Sequence, residues 1–245
     1  MQKTDQIYGI RAIIEAINAE KSIDKVFLQR GLSGDLIKEL ESLVRKSGIN
    51  TSYVPVEKLN RLTKNNHQGA VANISPIDFF DFEELIEKIS NTKKAPLLLL
   101  LDQVSDVRNF GAIIRTAECT GVDAIIIPKH GGAPVTADTV KTSAGAVFKI
   151  PIAKVDHIKD AVYYLQASGI KVIAATEKTN KTIYELHLKD PCAIVMGAEG
   201  KGISPSTLKA VDEKAKLPLL GEIESLNVSV ACAVFLYETV RQRQH

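Results

Sequence analysis

The sequence predicts an α/β protein of two domains, a small mixed domain followed by a larger one built on a parallel sheet. Three observations carry this. The 245 residues exceed what one small core requires. The pattern of strands and helices breaks at Ser75-Pro76 and resumes after Pro96 in a regular strand–helix rhythm. The strands after Pro96 are nearly all apolar rather than alternating, as parallel strands covered on both faces are.

Taken in order, the first domain, residues 1–75, reads as a helix around Ala12–Ile17, a strand at Lys25–Gln29 and a helix from Ser33 to Ser47. Ser33 is a candidate N-cap and Gly48 a candidate stop. A strand at Thr51–Val54, a short helix at Val56–Lys64 and a strand at Ala70–Ile74 complete it. Residues 76–95 read as a connection carrying an acidic helix from Asp81 to Ile89. The second domain, residues 96–245, begins with strand Leu97–Leu101, helix Gly111–Cys119, strand Ala124–Ile127 and helix Ala137–Val147. It continues with strand Ile150–Val155, helix Ile158–Gln166, and strands Val172–Ala175, Ala193–Met196 and Lys216–Leu219. A last helix, Leu226–Arg241, shows almost no polar face, so it is either a core helix within the chain or, as we favour, part of a subunit interface.

Composition narrows the function classes. With 45% hydrophobic and 24% charged residues the chain is globular, and it holds no apolar run long enough to span a bilayer. The polar start, Met1 to Tyr8, is not followed by a signal-like apolar region, so a cytoplasmic location is expected. Cys119, Cys192 and Cys232 are widely spaced and read as reduced core residues, and the scattered histidines offer no metal spacing. Net charge is only +2, but residues 1–75 carry 11 Lys/Arg against 8 Asp/Glu, and residues 96–245 carry 17 against 16. That excess suits an ordinary surface and an RNA-facing one equally.

Familiar nucleotide signatures are missing. No G-x-G-x-x-G follows the first strand of the second domain, where Asp102–Phe110 stands, which disfavours a dinucleotide dehydrogenase. In Gly197-Ala-Glu-Gly-Lys-Gly-Ile-Ser204, matching Gly197 and Gly202 to the phosphate-loop glycines puts Ile203 where the lysine belongs. What remains is a Gly-rich bend after a buried strand, suited either to a tight turn or to close backbone approach to a ligand.

Three separated segments decide between these readings. They are Asp106-Val-Arg-Asn-Phe-Gly-Ala-Ile-Ile-Arg-Thr-Ala117, Val195-Met-Gly-Ala-Glu-Gly-Lys-Gly-Ile-Ser204 and Leu217-Pro-Leu-Leu-Gly-Glu-Ile-Glu-Ser-Leu-Asn-Val-Ser-Val-Ala231. Together they resemble the SpoU (TrmH-type) family of RNA 2′-O-methyltransferases. Ile7-Tyr-Gly-Ile10 and His67-Gln-Gly-Ala-Val-Ala72 resemble that family's substrate-binding domain, so the likeness covers nearly the whole chain. It is strongest to the branch that methylates a guanosine ribose in large-subunit (23S) ribosomal RNA.

The resemblance implies a SPOUT domain with a deep trefoil knot, preceded by a small α/β, ribosomal-protein-like RNA-binding domain. Knots are nearly absent from proteins, and no sequence pattern argues for one. It implies S-adenosylmethionine as methyl donor, no metal, ribosomal RNA as partner and a homodimer. Thr176, Met196, Gly197, Gly200, Leu217 and Leu226 would hold the cofactor. Asn109, Arg115, Glu199, Ser225 and Asn227 would form the catalytic set.

Local chemistry offers plainer roles beside these. Arg115 sits three residues before Glu118 and is placed to pair with it, Glu199 to favour a following helix N-terminus, and Ser225 to cap the last helix. Arg115 is a reluctant base, since a guanidinium loses its proton only above about pH 12. It suits the adjacent phosphate and the developing alkoxide better. Lys58, Arg61 and Lys64 recur every third residue and lead into His67, a stripe that serves either RNA phosphates or solvent. The same chemistry on transfer RNA and a non-catalytic RNA-binding dimer are the competing functions; the intact catalytic set argues against the second.

Overall fold

The computed structural model describes residues 6–244. The chain divides into two compact units, one running to Asp78 and including Pro134–Ala137, the other holding Phe79–Ala133 and the chain from Asp138 on.

The first unit runs β1 (Gln6–Tyr8), α1 (Ile10–Asn18), β2 (Ile23–Gln29), α2 (Asp35–Lys46), β3 (Asn50–Val54), α3 (Val56–Leu62), β4 (Ala70–Ile74). Its sheet order is β1-β4-β2-β3, with β2 and β3 parallel and β4 antiparallel to both β1 and β2. Successive strand residues point to opposite faces. Val26 and Leu28 therefore pack with Ile13, Ile14, Leu40 and Val44 of α1 and α2, and Phe27 turns the other way to meet Leu59 of α3. Gly48 ends α2 as expected, at φ 63. Ser33 does not cap it: Gly34 occupies that position with no side-chain bond, and the negative charge of Asp35 in the first turn suits the helix dipole instead.

In the second unit α4 (Phe82–Thr92) is capped by Asp81, whose carboxylate accepts the Glu83 and Glu84 amides at 3.0 and 3.1 Å. Leu85, Ile86 and Ile89 pack in one core with Leu98 and Leu100, so much of the segment read as a connection is core of this unit. The sheet strands are β5 (Leu97–Asp102), β6 (Ala124–Pro128), β7 (Ile152–Val155), β8 (Lys171–Ala175), β9 (Cys192–Gly197) and β10 (Glu213–Ala215). All pair in parallel, in the order β10-β8-β9-β5-β6-β7. The helices are α5 (Val107–Cys119), α6 (Ala137–Thr142), α7 (Ile158–Ala167), α8 (Pro205–Ala210) and α9 (Val228–Gln244). α4, α7 and α8 share a core on one sheet face, and α9 packs on α5 and β9.

Four expectations are corrected. The helix foreseen over 137–147 ends at Thr142; Ala144 and Gly145 turn left-handed, and only a short 3-10 turn, Ala146–Phe148, follows. The strand foreseen at Lys216–Leu219 lies at Glu213–Ala215, and Lys216 alone bridges onward, to Thr182. Pro218, which has no N–H to give a ladder, follows two residues later. Cys119 is exposed, whereas Cys192 and Cys232 are buried, and burial pushes the Cys232 thiol up to about 12. The last helix starts at Val228, leaving Leu226 outside it, and is one-sided: Cys232, Phe235, Leu236 and Thr239 are buried while Val230 and Tyr237 are exposed. Arg243 pins its end, donating to the carbonyls of Leu188, Ala95 and Asp190 at 3.0, 2.7 and 2.9 Å.

Candidate active site

Parallel strands collect ligands at their carboxyl ends, and here the chain loads that edge with polar groups. β9 ends at Gly197 and the chain doubles back at once: Ala198 and Gly202 exchange both backbone hydrogen bonds, at 3.1 and 2.8 Å. Gly200 and Gly202 take φ of 76 and 68, so the turn needs residues without a Cβ penalty. A Cβ on Gly197 would lie 2.2 Å from the Gly202 carbonyl carbon, so the bend closes against Gly197 itself. Asp102, 4% exposed at the end of β5, anchors the far side by accepting the Ser204 amide at 2.9 Å. Glu199 is thereby held at the tip.

Asn109 lies in the first turn of α5, where Asp106 accepts its amide at 2.8 Å. Asn227 immediately precedes α9, and its Oδ1 accepts from the Ser229 amide at 2.9 Å and the Ser229 hydroxyl at 2.6 Å. It is Asn227, not Ser225, that caps this helix. Asn227 Nδ2 then donates to Asn109 Oδ1 at 3.0 Å and to Glu199 Oε1 at 2.7 Å. Three residues far apart in sequence thus form one polar cluster. The Asn227 amide is saturated, with both N–H groups given and its oxygen taken. Among the described residues Asn109 Nδ2 and Glu199 Oε2 have no hydrogen-bond partner, so the cluster presents one amide nitrogen with its two N–H donors and one carboxylate oxygen to a ligand.

The other expected residues are placed differently. Arg115 and Ser225 are exposed and make no hydrogen bond or ion pair among the described residues. Six residues beyond Asn109, Arg115 lies roughly 120° round the α5 axis from it. The pairing with Glu118 does not form; Glu118 meets Lys149 at 3.9 Å. Thr176, Gly197 and Leu217 follow or end β8, β9 and β10, which are neighbours in the sheet, and the Thr176 amide donates to Ala215 at 2.9 Å. Met196 is buried in β9, Leu217 is half-buried and Leu226 is exposed. At Gly200 an added Cβ would meet nothing within 4 Å, so open space lies over the bend. Glu213 on β10 is bonded by Lys171 and Lys181, which hold its carboxyl below the usual range.

Sequence reasoning missed Asp102, although an acid ending the all-apolar strand of five leucines is itself a signal. It misread His67. Lys58, Arg61 and Lys64 are exposed, Lys64 lying past the end of α3, but His67 is buried. Its Nδ1 accepts the Gly69 amide at 3.0 Å, which leaves the ring proton on Nε2 to be donated to Asn60 Oδ1 at 2.9 Å. The ring braces a turn in which Gln68 and Gly69 both take positive φ. His67→Ala should therefore cost about 1–3 kcal/mol in urea unfolding, the penalty for stranding the buried Gly69 amide. RNA affinity per folded molecule should stay unchanged. Wild-type stability with weakened RNA binding would return His67 to the contact surface.

The order and content of these segments agree with known proteins. The model of the SpoU rRNA Methylase family matches residues 96–237. The chain belongs to that family. A second model, RNA 2′-O ribose methyltransferase substrate binding, matches residues 6–80. Among family relatives, the 23S rRNA (guanosine-2′-O-)-methyltransferase RlmB of Pseudomonas aeruginosa is 36% identical, over 99% of this chain and 98% of its own length. A Synechocystis protein described as an uncharacterized tRNA/rRNA methyltransferase is 33% identical over 98% of this chain, which spans 63% of that longer relative. The SpoU methyltransferase AviRb of Streptomyces viridochromogenes, solved with AdoMet, has the same fold: TM-score 0.62 at 23% identity, covering 98% of this chain and 90% of that one.

Proposed function

We propose that this protein transfers a methyl group from S-adenosylmethionine to the ribose 2′-hydroxyl of a guanosine in 23S ribosomal RNA. The observation that carries the reading is the Asn109–Asn227–Glu199 cluster at the carboxyl edge of the parallel sheet, beside an open glycine bend. The bend suits an adenosine-like ligand, offering peptide groups from Met196 and Gly197 and apolar surface from the half-buried Leu217. The bound cofactor supplies an electrophilic methyl on a sulfonium that departs as a neutral thioether. Thr176, Gly197 and Gly200 line the cofactor side, with Leu226 closing over it from the exposed loop. Asn109 Nδ2 and Glu199 Oε2 orient the ribose hydroxyls, while Asn227 fixes both side chains. Arg115 takes the adjacent phosphate and the charge developing on the 2′-oxygen, whose proton leaves to solvent as the oxygen–methyl bond forms. Ser225, exposed in the same loop, joins the polar set that orients the ribose rather than capping the helix.

The reading extends to the rest of the chain. Residues 1–75 bind the RNA, with Lys58, Arg61 and Lys64 on phosphates, and residues 96–245 carry the catalysis. The C-terminal segment threads as a trefoil knot; in support, the chain runs from β10 at the sheet edge back to α9 on β9 and α5. The exposed Val230 and Tyr237 of α9 favour a homodimer. The protein acts in the cytoplasm, where its RNA is.

The test is to incubate the purified protein with S-adenosylmethionine and, separately, 23S RNA and transfer RNA from a deletion strain, then map 2′-O-methyl groups. One new guanosine mark is expected. Marks only on transfer RNA, or none on either RNA, would overturn the assignment.

A further inference from the structure

Resting on the RNA-methylation reading, we infer that Arg108 and Arg115 form a two-arginine track along α5 that grips the phosphate backbone of the RNA strand being modified. Seven residues separate them, which is two helical turns less roughly 20°, so they share one helix face about 10 Å apart along the axis. Between them stands Ala112, partly buried and too small to divide the two guanidinium groups. Both arginines are exposed. The acids nearest to them in sequence or in the cluster are directed elsewhere: Asp106 accepts the Asn109 amide, Glu118 meets Lys149, and Glu199 accepts from Asn227 through one oxygen. Neither arginine has a hydrogen bond or ion pair among the described residues.

Position ties the track to the chemistry. Arg108 immediately precedes Asn109 and lies roughly 100° round the α5 axis from it, so the track runs along the helix face next to the one that carries the polar cluster. A strand lying along this face places one phosphate at each guanidinium and turns a ribose toward Asn109 and Glu199 on the adjoining face. Arg108 is a positioning residue: it holds the strand and leaves the reacting atoms to others. A phosphate needs only charge there, so lysine should replace Arg108 far better than it replaces Arg115.

The experiment measures binding of full-length protein to 23S RNA from a deletion strain by filter retention across a salt series, alongside steady-state methylation. Arg108→Ala should raise KM several-fold with kcat within about twofold. It should also flatten the slope of log K against log salt by about 0.7, the release from one single-strand phosphate. Arg108→Lys should restore both KM and slope, and Lys189→Ala, an exposed charge outside the track, should change neither. An Arg108→Ala protein with wild-type slope and KM overturns the inference. Because the slope needs no turnover, wild-type protein that binds RNA without methylating it would overturn the enzymatic reading and still leave the slope to decide on Arg108.

Discussion

Arg115→Ala lowers kcat by about 10²–10³, the usual cost of losing one preorganised electrostatic contact, roughly 3–4 kcal/mol, while S-adenosylmethionine affinity stays at the wild-type value. The expectation has two parts. Arg115 is exposed and bonded to nothing among the described residues, so its loss strands no partner and spares the fold. Under the proposed role its guanidinium meets phosphate and developing alkoxide together, so the effect appears in turnover. Arg115→Lys should fail nearly as badly, since an ammonium cannot reproduce the planar fork. Calorimetry with S-adenosylmethionine and single-turnover methylation of 23S RNA separate the two parts. Turnover near wild type in Arg115→Ala would remove this residue from the reaction.

Gly197→Ala should lower cofactor affinity by about 10–100-fold and lower the unfolding temperature as well. The added Cβ would lie 2.2 Å from the Gly202 carbonyl carbon and 2.3 Å from the Ile203 nitrogen, backbone atoms that cannot rotate away. The bend must open, at the cost of about 1–3 kcal/mol that overpacking brings, and Glu199 leaves its place with it. Gly200→Ala is the informative contrast. Its Cβ meets nothing within 4 Å, and only the φ of 76 resists it, at about 1–2 kcal/mol. Unfolding should show the first variant losing more than the second, and calorimetry should rank affinities the same way. Equal affinity for wild type and a folded Gly197→Ala would exclude the bend from the cofactor site.

Where sequence reading succeeded, the signal was local. The five leucines Leu97–Leu101 are buried throughout, Gly48 stops its helix, and the strand Ala70–Ile74 lies where it was expected. Where it failed, a competing local signal was overruled by tertiary geometry. Ser33 and Ser225 are good caps by residue type, yet Gly34 and Asn227 occupy the positions beside the helices that formed. His67 carries the type of a nucleic-acid contact, but two hydrogen bonds turn its ring inward. Lys216–Leu219 has the apolar content of a strand, but the edge strand pairs with β8 earlier, and Leu220 is left 99% exposed.

The sequence by itself determined the α/β class, the rhythm of buried strands and helices, and the family, because these depend on residue type and on spacing along the chain. Only the tertiary structure decided which of the named polar residues work together. Asn109, Glu199 and Asn227 are 118 and 28 residues apart in their pairings, and no periodicity links them. Their hydrogen bonds exist because strand order sets the glycine bend where the first turn of α5 and the start of α9 meet. The same geometry sets Arg115 on another face of α5, where no partner among the described residues holds it.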